Sequence, residues 1–175
     1  DVMIHNLKVA ICIFSYLLCF QYLQAQNSVT TIKIRAISGM QFDLVRFIVK
    51  PNEQIRIVLS NMDDMTHNFL ITKPGKRLDI VYAALKLQER GPQLNYIPPS
   101  PDVLWSVPLI PPNQSTTLSF TSPSEPGAYP YVCTIPGHGF IMYGVMYVLK
   151  DGNMPDMAAD LNIPPSRRAE MPVNV

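Results

Sequence analysis

The sequence predicts an all-β protein, a Greek-key β-sandwich of about eight strands with one inserted helix. Three observations carry that expectation. Short runs rich in Val, Ile, Thr, Phe and Tyr alternate polar with apolar residues, the period of a half-buried strand. Clusters of Pro, Gly, Asn and Ser separate these runs, and 17 prolines are enough to break most junctions. One stretch, 77–90, replaces alternation by helical spacing.

The elements follow in order. In 29–37, Ile32, Ile34 and Ala36 share one face, with Lys33 and Arg35 on the other. Residues 41–50 are β-rich and stop at Pro51-Asn52. Residues 54–61 alternate again through Ile55, Ile57 and Leu59, and the short connection predicts that 41–50 and 54–61 pair as a hairpin. Residues 67–72 form a short apolar strand ended by Lys73-Pro74-Gly75. In 77–90, Leu78, Val81, Tyr82 and Leu85 fall at i, i+3, i+4 and i+7, Ala83-Ala84 favour helix, and Gly91-Pro92 stops it. A Pro-rich connector leads to strands at 103–110, 115–121, 128–133 and 143–150. Residues 151–175 have no period and many breakers, and read as a Pro-rich tail or linker.

Residues 1–25 read as a signal peptide. Lys8 supplies the basic start, an apolar run goes from Val9 to Phe20, and Leu23 and Ala25 take the −3 and −1 positions of a cut after Ala25. The run is shorter than the about 20 apolar residues of a membrane span, which disfavours an uncleaved anchor. Cys19 lacks the small preceding residue of a lipoprotein site. Asp1 and Val2 precede the first Met and are set aside. The expected organisation is therefore 1–25 signal peptide, 26–150 folded domain and 151–175 tail, in a periplasmic or otherwise extracytoplasmic protein. Net charge is +1 with Lys and Arg scattered, so the basic footprint of a nucleic-acid binder is absent.

Removing 1–25 removes Cys12 and Cys19, leaving one cysteine, Cys133, and two histidines, His67 and His138. A single cysteine forms no internal disulfide, and an unpaired thiol in an oxidising compartment is a liability unless something holds it. Cys133 ends one strand, Met142 begins the next, and the loop between carries Pro136, Gly137, His138 and Gly139, a Cys-x4-His-x3-Met pattern. Such a loop can wrap one ion. A sandwich can bring His67, at the start of its own strand, beside it. Two histidines, one cysteine and a weak axial methionine form the trigonal donor set of blue-copper sites. Hard ions want oxygens, and zinc prefers a fourth strong ligand to a thioether. Met62 and Met65 read as packing, Asp63-Asp64 as a solvated turn, and no carboxylate pair is placed for acid–base catalysis.

With those residues in place, "CTIPGHGFIM" resembles the ligand loop of the azurin and auracyanin branch of the cupredoxins, with the same spacing, and "MTHNF" resembles the segment around their first histidine ligand. The resemblance spans about 29–150 and implies a cupredoxin fold. It implies His67, Cys133 and His138 as equatorial copper ligands and Met142 as the axial one. It gives Asn68 a hydrogen bond near the sulfur that ties the two ligand segments together. Azurins have Gly before the first histidine, with its carbonyl on the far axial side; Thr66 keeps the carbonyl here and adds a Cβ. Azurins also carry a structural disulfide that this chain does not form.

The expected function is that of an exported, non-enzymatic one-electron carrier with one copper ion. Its expected partner is a redox protein such as a c-type cytochrome or a membrane redox complex, and a fused redox domain is allowed by the Pro-rich end. The competing readings are a cupredoxin module of a larger redox enzyme and a copper storage or delivery protein. The second of these would favour an exposed, labile site.

Overall fold

Alternation decides where the core lies. In β1 (Val29–Ile37), Ile34 and Ala36 are buried while Lys33 and Arg35 face solvent, and in β4 (Gln54–Asn61), Ile55, Ile57 and Leu59 are buried. These inward rows force the strands into two stacked sheets. The computed structural model describes residues 29–169, so the signal-peptide reading of 1–25 lies outside the described residues. The other strands are β2 (Gln41–Phe42), β3 (Arg46–Val49), β5 (His67–Thr72), β6 (Val103–Ile110), β7 (Ser115–Thr121), β8 (Gly127–Val132) and β9 (Tyr143–Val148). One sheet has the order β2-β1-β4-β7 and the other β3-β9-β8-β5-β6. The pairs β1–β4 and β3–β9 are parallel and the remaining pairs antiparallel. This is the expected Greek-key sandwich.

The expected hairpin between 41–50 and 54–61 does not form. The first segment divides between the sheets: β2 pairs with β1, and β3 pairs with β9. Asp43 pins the corner, its carboxylate accepting the N–H groups of Arg35 (2.7 Å) and Leu44 (2.8 Å) and pairing with the Arg35 guanidinium. The Pro51-Asn52 turn then crosses to the opposite sheet, where β4 lies between β1 and β7. A short turn looks the same in sequence whether it joins neighbours in one sheet or crosses between two.

The core between the sheets is aromatic near its centre. Tyr131 stacks on Phe69 (5.2 Å between ring centroids) and Phe47 (5.8 Å), and Phe42 meets Phe69 edge-on. Helix α1 (Arg77–Leu85) follows β5. It turns a different face inward from the one expected: Ile80, Val81 and Ala84 are buried, whereas Leu78 and Tyr82 are exposed. The helix lies over Leu70, Val132 and Tyr143 on the outside of the second sheet, so a short stripe suffices.

Residues 151–169 contain no strand and return to the outer face of the same sheet. Ile163 is buried with Val45, Val145 and Tyr147. The buried Asp160 carboxylate accepts the Tyr147 hydroxyl (2.8 Å) and the Asn162 N–H (2.9 Å) and pairs with Arg46. Arg167 donates to the carbonyls of Phe42 (2.8 Å) and Asp43 (3.0 Å).

Candidate metal centre

The site lies at the end of the sandwich where β5 begins and β8 gives way to β9. His67 is the first residue of β5, and Cys133 follows the last residue of β8. The chain then turns through Gly137, whose φ of +88° suits glycine, into a 3-10 turn at His138–Phe140. Met142 directly precedes β9, and the loop closes on itself: the Cys133 N–H donates to the Met142 carbonyl (3.1 Å) and the Met142 N–H to the His138 carbonyl (2.8 Å). His67, Cys133, His138 and Met142 are all buried.

Three donor atoms converge. Cys133 Sγ lies 3.8 Å from His67 Nδ1 and 3.6 Å from His138 Nδ1, and the two Nδ1 atoms are 3.3 Å apart. A point equidistant from the corners of such a triangle is about 2 Å from each, the length of a transition-metal bond to imidazole or thiolate. The cluster therefore fits one ion, and these are the residues expected from the sequence. Met142 is brought to the same loop base, and Thr66 stands half-buried just before His67.

Burial sets the protonation of the donors. Burial pushes the Cys133 thiol up to about 11, against the pull of the Asn68 and Ile135 backbone N–H groups that point at the sulfur. A thiol there stays protonated near neutral pH unless a metal displaces the proton. Burial and the neighbouring His67 push the His138 pKa down, which keeps that imidazole neutral and able to ligate.

Asn68 ties the start of β5 to the segment after Cys133. Its side-chain oxygen accepts the Thr134 N–H (2.7 Å), and its amide donates to Thr134 Oγ1 (2.8 Å) and to the Asn95 carbonyl (2.7 Å). These hydrogen bonds fix the β5 start and the Cys133 segment relative to each other.

Two residues at the site went unseen in the sequence. Asp63, read as part of a solvated turn, is buried, and its Oδ2 lies 2.9 Å from His67 Nε2; only its neighbour Asp64 is exposed. Burial pushes the Asp63 carboxyl up, but hydrogen bonds from His67 and the Asp64 N–H outweigh it and hold the pKa below the usual value. The available signal was an acid one helical turn's count before the histidine, in an "N-x-D" turn pattern. Arg77, on α1, donates to the Gly139 carbonyl (2.7 Å), and its guanidinium sits 3.6 Å from the centroid of the Tyr143 ring. Nothing local in the sequence marks that contact.

Comparison with known proteins agrees with this geometry. Auracyanin-A from Chloroflexus aurantiacus is 30% identical over 113 residues, covering 62% of this chain and 67% of that protein. Auracyanin-B from the same organism is 25% identical over 113 residues, covering 62% of this chain and 47% of that protein. Among solved structures, auracyanin A, described as a "blue" copper protein, superposes with a TM-score of 0.64 at 29% identity, covering 70% of this chain and all (100%) of that one. Dithionite-reduced auracyanin from Roseiflexus castenholzii gives 0.60 at 29% identity, covering 69% of this chain and 97% of that one. The family described as copper binding proteins, plastocyanin/azurin family, matches residues 29–149, which include the whole donor cluster. A buried Cys-His-His triangle sized for one ion, on a sandwich of this topology, is what that family's copper requires, and the chain belongs to the plastocyanin/azurin family of copper-binding proteins, a cupredoxin of the azurin and auracyanin type.

Proposed function

We propose that the protein is an exported one-electron carrier with a mononuclear type 1 copper site, and that it is not an enzyme. His67, Cys133 and His138 would hold the ion, with the Met142 thioether as a further weak donor and the Thr66 carbonyl as a candidate one. Bound copper supplies a one-electron couple between Cu(I) and Cu(II). The observation that carries the reading is the donor triangle, closed by protein hydrogen bonds on both sides and buried. Donors held that firmly relax little between oxidation states, which favours fast transfer.

The space beside His67, lined by Leu59, Phe69 and Ile110, measures about 10 Å³. That is about the space of one water. Burial of all three donors also argues against a storage or delivery protein, which must load and release its ion. Export rests on the sequence of 1–25. The partner would be a redox protein such as a c-type cytochrome or a membrane redox complex. It would dock where His138 comes nearest the surface, beside the exposed Phe140 and Ile141.

The test is the visible spectrum of the copper-loaded protein. The wild type should show an intense thiolate charge-transfer band that Cys133→Ser abolishes. Weak ligand-field absorption alone would refute the type 1 assignment.

A further inference from the structure

The loop between β4 and β5 is built to turn one carboxylate inward. Asn61 is buried, and its amide donates to the carbonyls of Met65 (2.7 Å) and Ile110 (2.8 Å), which folds the loop back on itself. The Asn61 side-chain oxygen accepts the Asp63 N–H (3.0 Å). Asp63 Oδ1 accepts the Asp64 N–H (2.9 Å), which leaves Oδ2 for His67 Nε2. Both side chains of that pair are 2% exposed, and His67 is the only ion-pair partner of Asp63 among the described residues. Burying a carboxylate is costly unless its partners compensate. A backbone carbonyl or an amide would satisfy the same N–H more cheaply.

An ionised carboxylate can only accept. In the Nε2–H tautomer that such an acceptor favours, His67 Nδ1 presents its lone pair towards Cys133 and His138. The same contact raises the basicity of the imidazole as a ligand. A fixed negative charge at this distance stabilises the state of higher positive charge. Taking the copper-carrier reading as its basis, we propose that Asp63 is a positioning residue of the metal centre. Its carboxylate sets the tautomer and aim of His67, and its buried charge favours the oxidised form and so lowers the reduction potential.

Three variants separate these effects. Asp63→Asn keeps the shape and an acceptor oxygen but removes the charge. Asp63→Ala removes both, and Asp64→Asn removes the exposed neighbour's charge. In equilibrium with a one-electron mediator, copper-loaded Asp63→Asn should shift about tenfold towards the reduced form, the order of a partly screened nearby charge, which is about 59 mV upward. Asp64→Asn should shift by less than about twofold, because solvent and salt screen an exposed charge. In the metal-free protein, ¹⁵N NMR should find the His67 proton on Nε2 in wild type and Asp63→Asn, and a mixture of tautomers in Asp63→Ala. Equal shifts in Asp63→Asn and Asp64→Asn would overturn the charge effect, and a wild-type tautomer in Asp63→Ala would overturn the positioning. If Asp63→Ala fails to fold, the isosteric Asp63→Asn still decides the charge effect. A wild type with no intense visible band would instead refute the carrier reading and with it the bias in potential, while the metal-free NMR would still decide the positioning.

Discussion

His67 and His138 present the same atom, Nδ1, to the same point, yet the chain holds them by opposite means. His67 opens a fully buried strand and is gripped from behind by a carboxylate. His138 rides a single 3-10 turn between two glycines, and besides the loop's own hydrogen bonds it is supported from the neighbouring helix. Arg77 on α1 holds the Gly139 carbonyl, and Val81 packs against Gly139. One imidazole is fixed from the dry interior, where charge can tune the metal. The other is fixed from the flank, beside the exposed Phe140 and Ile141. Under the proposed carrier function, the site divides tuning and access between its two histidines.

The largest expected effect comes from Gly139→Ala, which attacks the flank support. A Cβ there would sit 2.5 Å from Val81 Cγ2 and 2.9 Å from the Cys133 carbonyl oxygen, and the latter is backbone that cannot yield cheaply. Overpacking of this kind costs about 1–3 kcal/mol, and because the turn carries His138 the visible spectrum should change as well. Gly137→Ala is the matched control. Its Cβ would meet nothing within 4 Å, and only the backbone at φ +88° is strained, a cost of about 1–3 kcal/mol with the spectrum preserved. Chemical denaturation beside visible absorption compares the two. If both variants keep the wild-type spectrum, the helix does not position His138.

Next in size is Arg77→Met. It keeps the apolar stem and removes the charged hydrogen bond to Gly139, worth about 1.5–3 kcal/mol when one partner is charged, at the low end here because the guanidinium is only half-buried. Burial already pushes the pKa of Arg77 down, so part of its charge is poorly solvated and the net loss is further reduced. Backbone NMR should show the change at 138–142 and leave His67 and Asp63 unmoved. Equal perturbation of both histidines would mean that the two supports act as one unit.

The smallest effect on the fold should be the most specific for function. Phe140 and Ile141 are exposed beside His138, so Phe140→Glu should slow self-exchange, read by NMR line broadening, with colour and stability nearly intact. An unchanged exchange rate with an unchanged spectrum would remove the His138 face as the electron port.

The sequence by itself determined the strands and the donors. Alternation marked β1 and β4 because one face of each meets a core and the other meets water. Cys133 and His138 were legible because one strand-to-strand loop carries both, and His67 because it is one of two histidines after residue 25. Tertiary structure decided whatever depends on which surface meets which. It sent β3 and β4 to different sheets, since a turn does not encode the sheet it enters. It rotated α1 so that Ile80 and Ala84 replaced Leu78 and Tyr82 as the buried face, since a helix lying on a sheet buries whatever the sheet presents room for. It seated Ile163 and Asp160 against β9, although 151–169 has no period to announce contact. It also turned Asp63 inward and Asp64 outward, two identical side chains separated only by the path of the backbone through Asn61. Residue type sets what a group can do, and the long-range contacts that close the fold set what it faces.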